Sequence, residues 1–162
     1  MRAERPGDAA AIRQAVTAAF GQTAEADLVE RLRADGEVVA SLVAAARTAI
    51  VGHILFSRLD TGGRCAAAAL APLAVVPGWQ RRGIGAALVR AGIDACRDKA
   101  VAVLVVLGDP AFYGRFGFTR ALGARLRTPY DCDALTALEL VPGALAAGAF
   151  AVRYPRAFAA LG

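Results

Sequence analysis

The chain has 162 residues, 57% of them hydrophobic, and a formal net charge of +5 at pH 7. That length suits a single domain spanning 1–162 with a sizeable core, and its longest apolar run, Cys65 to Pro77, falls short of the roughly 20 residues a spanning helix needs. The four charges among Met1 to Asp8 leave no room for a secretory signal or transit peptide, so a cytoplasmic location is expected.

The positive charge calls for an anionic partner, but its distribution argues against nucleic acid and membrane surfaces. Lys99 is the only lysine, the longest basic cluster is Arg81-Arg82, and no aromatic residues interleave with basic ones. Cys65, Cys96 and Cys132 are odd in number and far apart, matching no metal or dithiol spacing; reduced, packed thiols and no metal are expected.

In chain order, Asp8 reads as the N-cap of a first helix, with Ile12, Val16, Ala19 and Phe20 at helical spacing and a stop at Gly21. Thr23 reads as the cap of a second helix, with Leu28, Val29 and Leu32 on one face and Asp35-Gly36 ending it. Val38 to Ala46 and Ala49 to Leu59 read as antiparallel strands joined by Arg47-Thr48. After the turn Asp60 to Gly63, the apolar stretch Cys65 to Val76 gives another strand, ended by Pro77-Gly78. Ile84, Leu88, Ala91 and Ala95 share one side of a helix running to about Asp98. Val101 to Leu107 is uniformly apolar and reads as a strand buried on both faces, which makes the helix a crossover between parallel strands. A helical turn from Pro110 to Arg115, the segment Phe116 to Arg120, a strand from Thr136 to Val141 and a Pro- and Gly-containing tail follow. Trp79 is expected to pack on the loop beside it.

The segment Gln80-Arg81-Arg82-Gly83-Ile84-Gly85-Ala86 joins a strand end to a helix start. A helix N-terminus leaves backbone N–H groups unpaired and carries partial positive charge, so it attracts phosphate. Gly83 and Gly85 allow an anion close to the backbone, and Arg81 and Arg82 add charge. A Walker loop would need Lys and Ser or Thr where Ala86-Ala87 stand, and a dinucleotide fingerprint would need Gly or Ala at Leu88. A pyrophosphate loop of another kind is left.

That segment resembles the Gln/Arg-x-x-Gly-x-Gly/Ala motif of the GNAT acetyltransferases. The run Asp109-Pro110-Ala111-Phe112-Tyr113-Gly114-Arg115-Phe116-Gly117-Phe118 resembles the same family's Tyr-x-x-x-Gly-Phe signature in the expected order. Val51 to Ser57, Leu107 to Pro110, Leu138 to Leu145 and Arg153-Tyr154-Pro155 extend the likeness to the bacterial YhbS-like subgroup, from about residue 3 to the end.

The resemblance implies an α/β (α+β) GNAT fold, with a mixed, mostly antiparallel sheet whose strands splay near Val76 and Val101. It implies acetyl-CoA as cosubstrate. Leu73, Ala74 and Val75 would contact the pantetheine arm, Gln80, Arg81, Arg82, Gly83, Ile84, Gly85 and Ala86 the pyrophosphate, and Asp109 and Phe112 the same ligand. Tyr113 matches the family tyrosine that assists thiolate departure. The family's usual strand Glu has no counterpart in Ala66 to Val76, leaving a water chain, Glu139 or His53 as base candidates. The first strand is expected to be short or missing. The implied activity is transfer of acetyl to a primary amine, on a small molecule or peptide, by a monomer or homodimer; the alternative is a catalytically weak acyl-CoA-sensing module.

Overall fold

The computed structural model describes residues 1–161. Helices α1 (Ala9–Phe20) and α2 (Ala24–Ala34) form where the spacing predicts them, and α1 stops at Gly21, whose φ of 72° suits a residue without Cβ. Asp8 and Thr23 stand at the N-cap positions as expected, but neither caps its helix through a side-chain hydrogen bond. Pro6–Asp8 forms a 3-10 turn, and the Asp8 carboxylate points back to accept from the Arg5 amide at 2.7 Å and the Arg2 guanidinium at 2.6 Å. Those bonds hold its pKa down at about 2. They also tie down strand β1 (Arg2–Ala3), which is short but present.

Strands β2 (Val38–Ala46) and β3 (Ala49–Leu59) are antiparallel and have the limits read from the sequence, with Arg47 at a φ of 55° in the turn. Strand β4 (Ala67–Val75) lies antiparallel on β3, and β5 (Val103–Leu107) lies parallel to β4 across the crossover helix α3 (Ile84–Asp98). Val101 and Ala102 fall outside β5. The Val101 amide bonds to the Cys96 carbonyl and so finishes α3 instead of starting the strand.

Beyond β5 come α4 (Pro110–Gly114), α5 (Arg120–Gly123), β6 (Leu126–Arg127), β7 (Leu135–Glu139) and β8 (Phe150–Ala151). β7 stops short of Val141 because the Leu140 and Val141 amides both turn to the Ala102 carbonyl. The main sheet runs β1-β2-β3-β4-β5-β7, and β6 and β8 form a separate parallel pair. This is the mixed, mostly antiparallel sheet expected. Among the described residues, no helix is long and apolar enough to cross a membrane.

Alternate residues of the central strands feed two apolar layers. Leu55, Val103 and Val105 face α1, α2 and the C-terminal segment, where Leu145, Phe150, Val152 and Phe158 are buried. Ile54, Phe56, Leu104 and Val106 face α3 and α4, against Leu88, Val89, Ile93 and Tyr113. Helix α3 comes unusually close to the sheet. A Cβ at Gly92 would stand 2.3 Å from the Phe56 ring, and one at Gly52 would stand 3.0 Å from Leu88.

These contacts fix how α3, and with it the Gly83/Gly85 segment, sits on the sheet. Gly92→Ala is therefore expected to destabilise the fold by about 1–3 kcal/mol through overpacking, despite alanine's better helix propensity. Equilibrium denaturation checks this; an unchanged or raised midpoint would contradict the close packing.

Candidate active site

The site begins where two strands part. β4 pairs with β5 from Ala67↔Val103 to Leu70↔Val106 and no further. On its other edge β4 continues to pair with β3 through Leu73, Ala74 and Val75, after a register shift between Ile54 and Phe56 that inserts an extra residue on the β4 side. From Ala71 onward the edge of β4 that faces β5 has no strand partner among the described residues.

The Gln80-to-Ala86 segment closes the end of this wedge. Pro77–Trp79 forms a 3-10 turn after β4, and the Gln80 side chain donates to the Val75 carbonyl at 2.9 Å, tying the loop to the strand end. Gly83, the N-cap of α3, has a φ of 80°, and Arg81 has a φ of 61°, a left-handed conformation that is costly for a residue with a Cβ. Left-handed residues on either side of Arg82 curl the chain into an N–H-lined concavity suited to anions. Six consecutive amides, those of Arg81 through Ala86, have no backbone or side-chain acceptor among the described residues; the next, Ala87, bonds to the Gly83 carbonyl.

A cleft of about 690 Å³ opens here, lined by Leu73 and Val75 of β4, the loop residues Gln80, Arg81, Gly83, Ile84, Gly85 and Ala86, and Asp109 and Phe112 at α4. Ten of the expected ligand contacts thus share one cleft. The remaining two do not line it. The Ala74 side chain is buried on the α1 face, as strand alternation requires, and the Arg82 guanidinium lies over the Trp79 ring at 5.2 Å. Trp79, Ala111 and Arg115 also line the cleft.

Tyr113 stands behind Phe112 on α4, its ring edge-on to Phe112 and Phe118 at 4.9 and 5.8 Å. A Cβ at Gly108 would meet that ring at 2.5 Å, so the glycine at the end of β5 is what admits it. Its hydroxyl has no protein hydrogen-bond partner among the described residues, and burial raises its pKa to about 12, so it stays protonated at neutral pH. The Asp109 side chain caps α4 by accepting from the Ala111 amide at 2.9 Å.

The two base candidates lie elsewhere. Glu139 is paired with Val103, at the opposite end of β5 from Leu107, about 13 Å away along the strand by the usual rise per residue. Its carboxylate accepts from the Gly143 and Leu145 amides at 3.2 and 2.7 Å and so fixes a turn. His53 is fully buried, and its Nε2 lies 2.9 Å from the Ser41 hydroxyl. Because Ser41 gives its proton to Glu4, which also pairs with Arg33 at 2.7 Å, Nε2 must be the protonated nitrogen of His53. Nδ1 is buried without a partner among the described residues.

A match to the acetyltransferase (GNAT) family covers residues 9–118. The chain belongs to the GNAT family. It is 38% identical over 129 residues to the N-acetyltransferase YhbS of Escherichia coli K12, covering 78% of this chain and 77% of that protein. It is 40% identical over 121 residues to the N-acetyltransferase YjhQ of the same strain, covering 72% and 67%. The crystal structure of Escherichia coli YhbS in complex with CoA superposes with a TM-score of 0.90 at 35% identity, over 99% of this chain and 92% of that one. A GNAT acetyltransferase from Brucella melitensis in complex with acetyl-CoA gives 0.80 at 34%, over 97% and 96%. This GNAT protein is accordingly an acetyltransferase with the fold the sequence implied.

Burial dominates the His53 environment and, with the Arg33 charge, lowers its pKa from the usual 6.5 to about 3. A depressed histidine contributes stability above its unfolded pKa, which is lost progressively as pH falls toward the folded value. Melting temperature is expected to drop between about pH 6.5 and 4.5, and His53→Gln to flatten that slope whatever its effect at pH 7. An identical slope in the variant would remove His53 as the cause.

Proposed function

We propose that this GNAT protein transfers an acetyl group from acetyl-CoA to a primary amine, and that the cleft between β4 and α4 receives the donor. The observation that carries this reading is the row of unpaired amides from Arg81 through Ala86 at the base of the wedge. A pyrophosphate satisfies such a row and is favoured by the α3 dipole. The open edge of β4 at Leu73 to Val75 offers main-chain groups to the amides of a pantetheine arm, in the manner of an added strand. The CoA and acetyl-CoA found in the two structural relatives support the same assignment.

The acceptor nitrogen attacks the thioester carbonyl directly, and collapse of the tetrahedral intermediate breaks the C–S bond. Tyr113 donates its hydroxyl proton to the departing sulfur and is reprotonated from solvent. The amine proton leaves through water, since Glu139 is engaged in a turn and His53 is buried with a pKa near 3. No cysteine lines the cleft among the described residues, and burial raises the Cys96 thiol to about 12, so a covalent acetyl-cysteine has no support.

Tyr113→Phe keeps the packed ring and removes only the hydroxyl. Thiol release with a panel of amines is expected to show a turnover about tenfold lower, equivalent to about 1.4 kcal/mol, with acetyl-CoA affinity little changed and the deficit shrinking at higher pH. Equal turnover in both proteins, with chemistry rate-limiting, would take the acid role from Tyr113.

A further inference from the structure

Arg115 was not among the ligand contacts expected from the sequence, yet it lines the cleft together with the phosphate loop. Its guanidinium lies over the Phe112 ring at 4.6 Å and the Phe116 ring at 5.6 Å. Arg90 of α3 covers Phe116 at 5.2 Å. Arg115 forms no ion pair among the described residues, and its side chain makes one hydrogen bond, from Nε to the Phe112 carbonyl at 3.3 Å. The rings therefore hold the planar group in place, and its charge is left unneutralised at the cleft rim.

The position of that charge follows from a chain of contacts. The Phe112 ring tip lies 3.8 Å from where a Cβ of Gly85 would stand, so α4 abuts the phosphate loop directly. Arg115 is stacked on that same ring, on the α4 wall and facing solvent. In the proposed donor site the pyrophosphate would meet the unpaired loop amides, and Arg81 lines the same cleft. A cation one ring away serves a second anionic group on the same ligand.

We propose that Arg115 binds the 3′-phosphate on the ribose of the CoA donor, with Phe112 and Phe116 as the platform that positions it. The assignment rests on the proposed donor site and adds to it a means of discrimination. The cleft distinguishes CoA from dephospho-CoA, which carries the same pantetheine arm and pyrophosphate but lacks that phosphate.

Calorimetric titration of wild type, Arg115→Gln and Arg115→Lys with acetyl-CoA and with acetyl-dephospho-CoA tests this. Wild type is expected to prefer acetyl-CoA by about tenfold, the lower end of what a charge-assisted contact gives at an exposed site. Arg115→Gln should lose that preference by weakening acetyl-CoA alone, and Arg115→Lys should keep part of it. Equal weakening of both ligands by Arg115→Gln would place Arg115 on the pyrophosphate or in the fold and overturn the proposal. So would equal affinity of wild type for the two ligands, or no effect of the variant. Failure of wild type to bind either ligand would instead overturn the donor site, and this assignment with it.

Discussion

The constraint on which the rest of the structure depends is that β4 and β5 stay paired for only part of their length. The ladder ends at Leu70↔Val106, because an extra residue in β4 bends that strand while β5 runs on to Gly108 and into α4. Unpaired main-chain groups inside a fold are costly, so an open strand edge persists only where something else satisfies it. The contacts around it keep the wedge from closing. Tyr113 is seated on Gly108 on one side, and α3 is locked to β3 through Gly52 and Gly92 on the other. The same two anchors set the distance between Phe112 and Gly85, and therefore the width of the cleft.

Behind this wedge the molecule is stiffened on its other face. The C-terminal segment lies beyond the part matched by the family model, yet it buries Leu145, Phe150, Val152 and Phe158 against the layer shared with α1 and α2. Glu139 belongs to this support, since its carboxylate holds the Gly143 and Leu145 amides. The chain Arg33–Glu4–Ser41–His53 does similar work at the other edge, joining α2 and the N-terminal segment to β2 and β3. Charge on this face is spent on folding, whereas the Arg115 guanidinium at the cleft is left without a carboxylate.

How much of this could be read from the sequence depended on whether the determining contacts are local. Strands β2 and β3 have their expected limits because alternation and a two-residue turn define them within about twenty residues. The loop that opens α3 was legible because Gly83 and Gly85 announce it. The left-handed Arg81 was not, since nothing in an arginine signals a positive φ. Glu139 was visible as an acid on a strand, but only the register Glu139↔Val103 reveals that it sits at the end of β5 away from the cleft. His53 was visible on β3, but its place beside Ser41 and Arg33 depends on strand pairing and on how α2 packs. Trp79 lies beside the loop as expected, with Arg82 over its ring, and Arg115 is held by its chain neighbours Phe112 and Phe116, a local stacking that the motif around it does not single out. Asp8 matched a cap pattern and was diverted by Arg2, a partner six residues away that pattern alone does not rank.

The donor is proposed to bind at the unpaired amides of the Arg81-to-Ala86 loop and along the open edge of β4. The most direct measurement of this is a ¹⁵N–¹H correlation titration of the protein with CoA, with Gly83→Val as the control. Saturable shifts are expected to concentrate on the amides of Arg81 through Ala86 and on Leu73 to Val75, and to be greatly reduced in Gly83→Val. Shifts confined to another surface, such as the second cleft between Val38 and Lys99, or shifts unchanged in the variant, would contradict it.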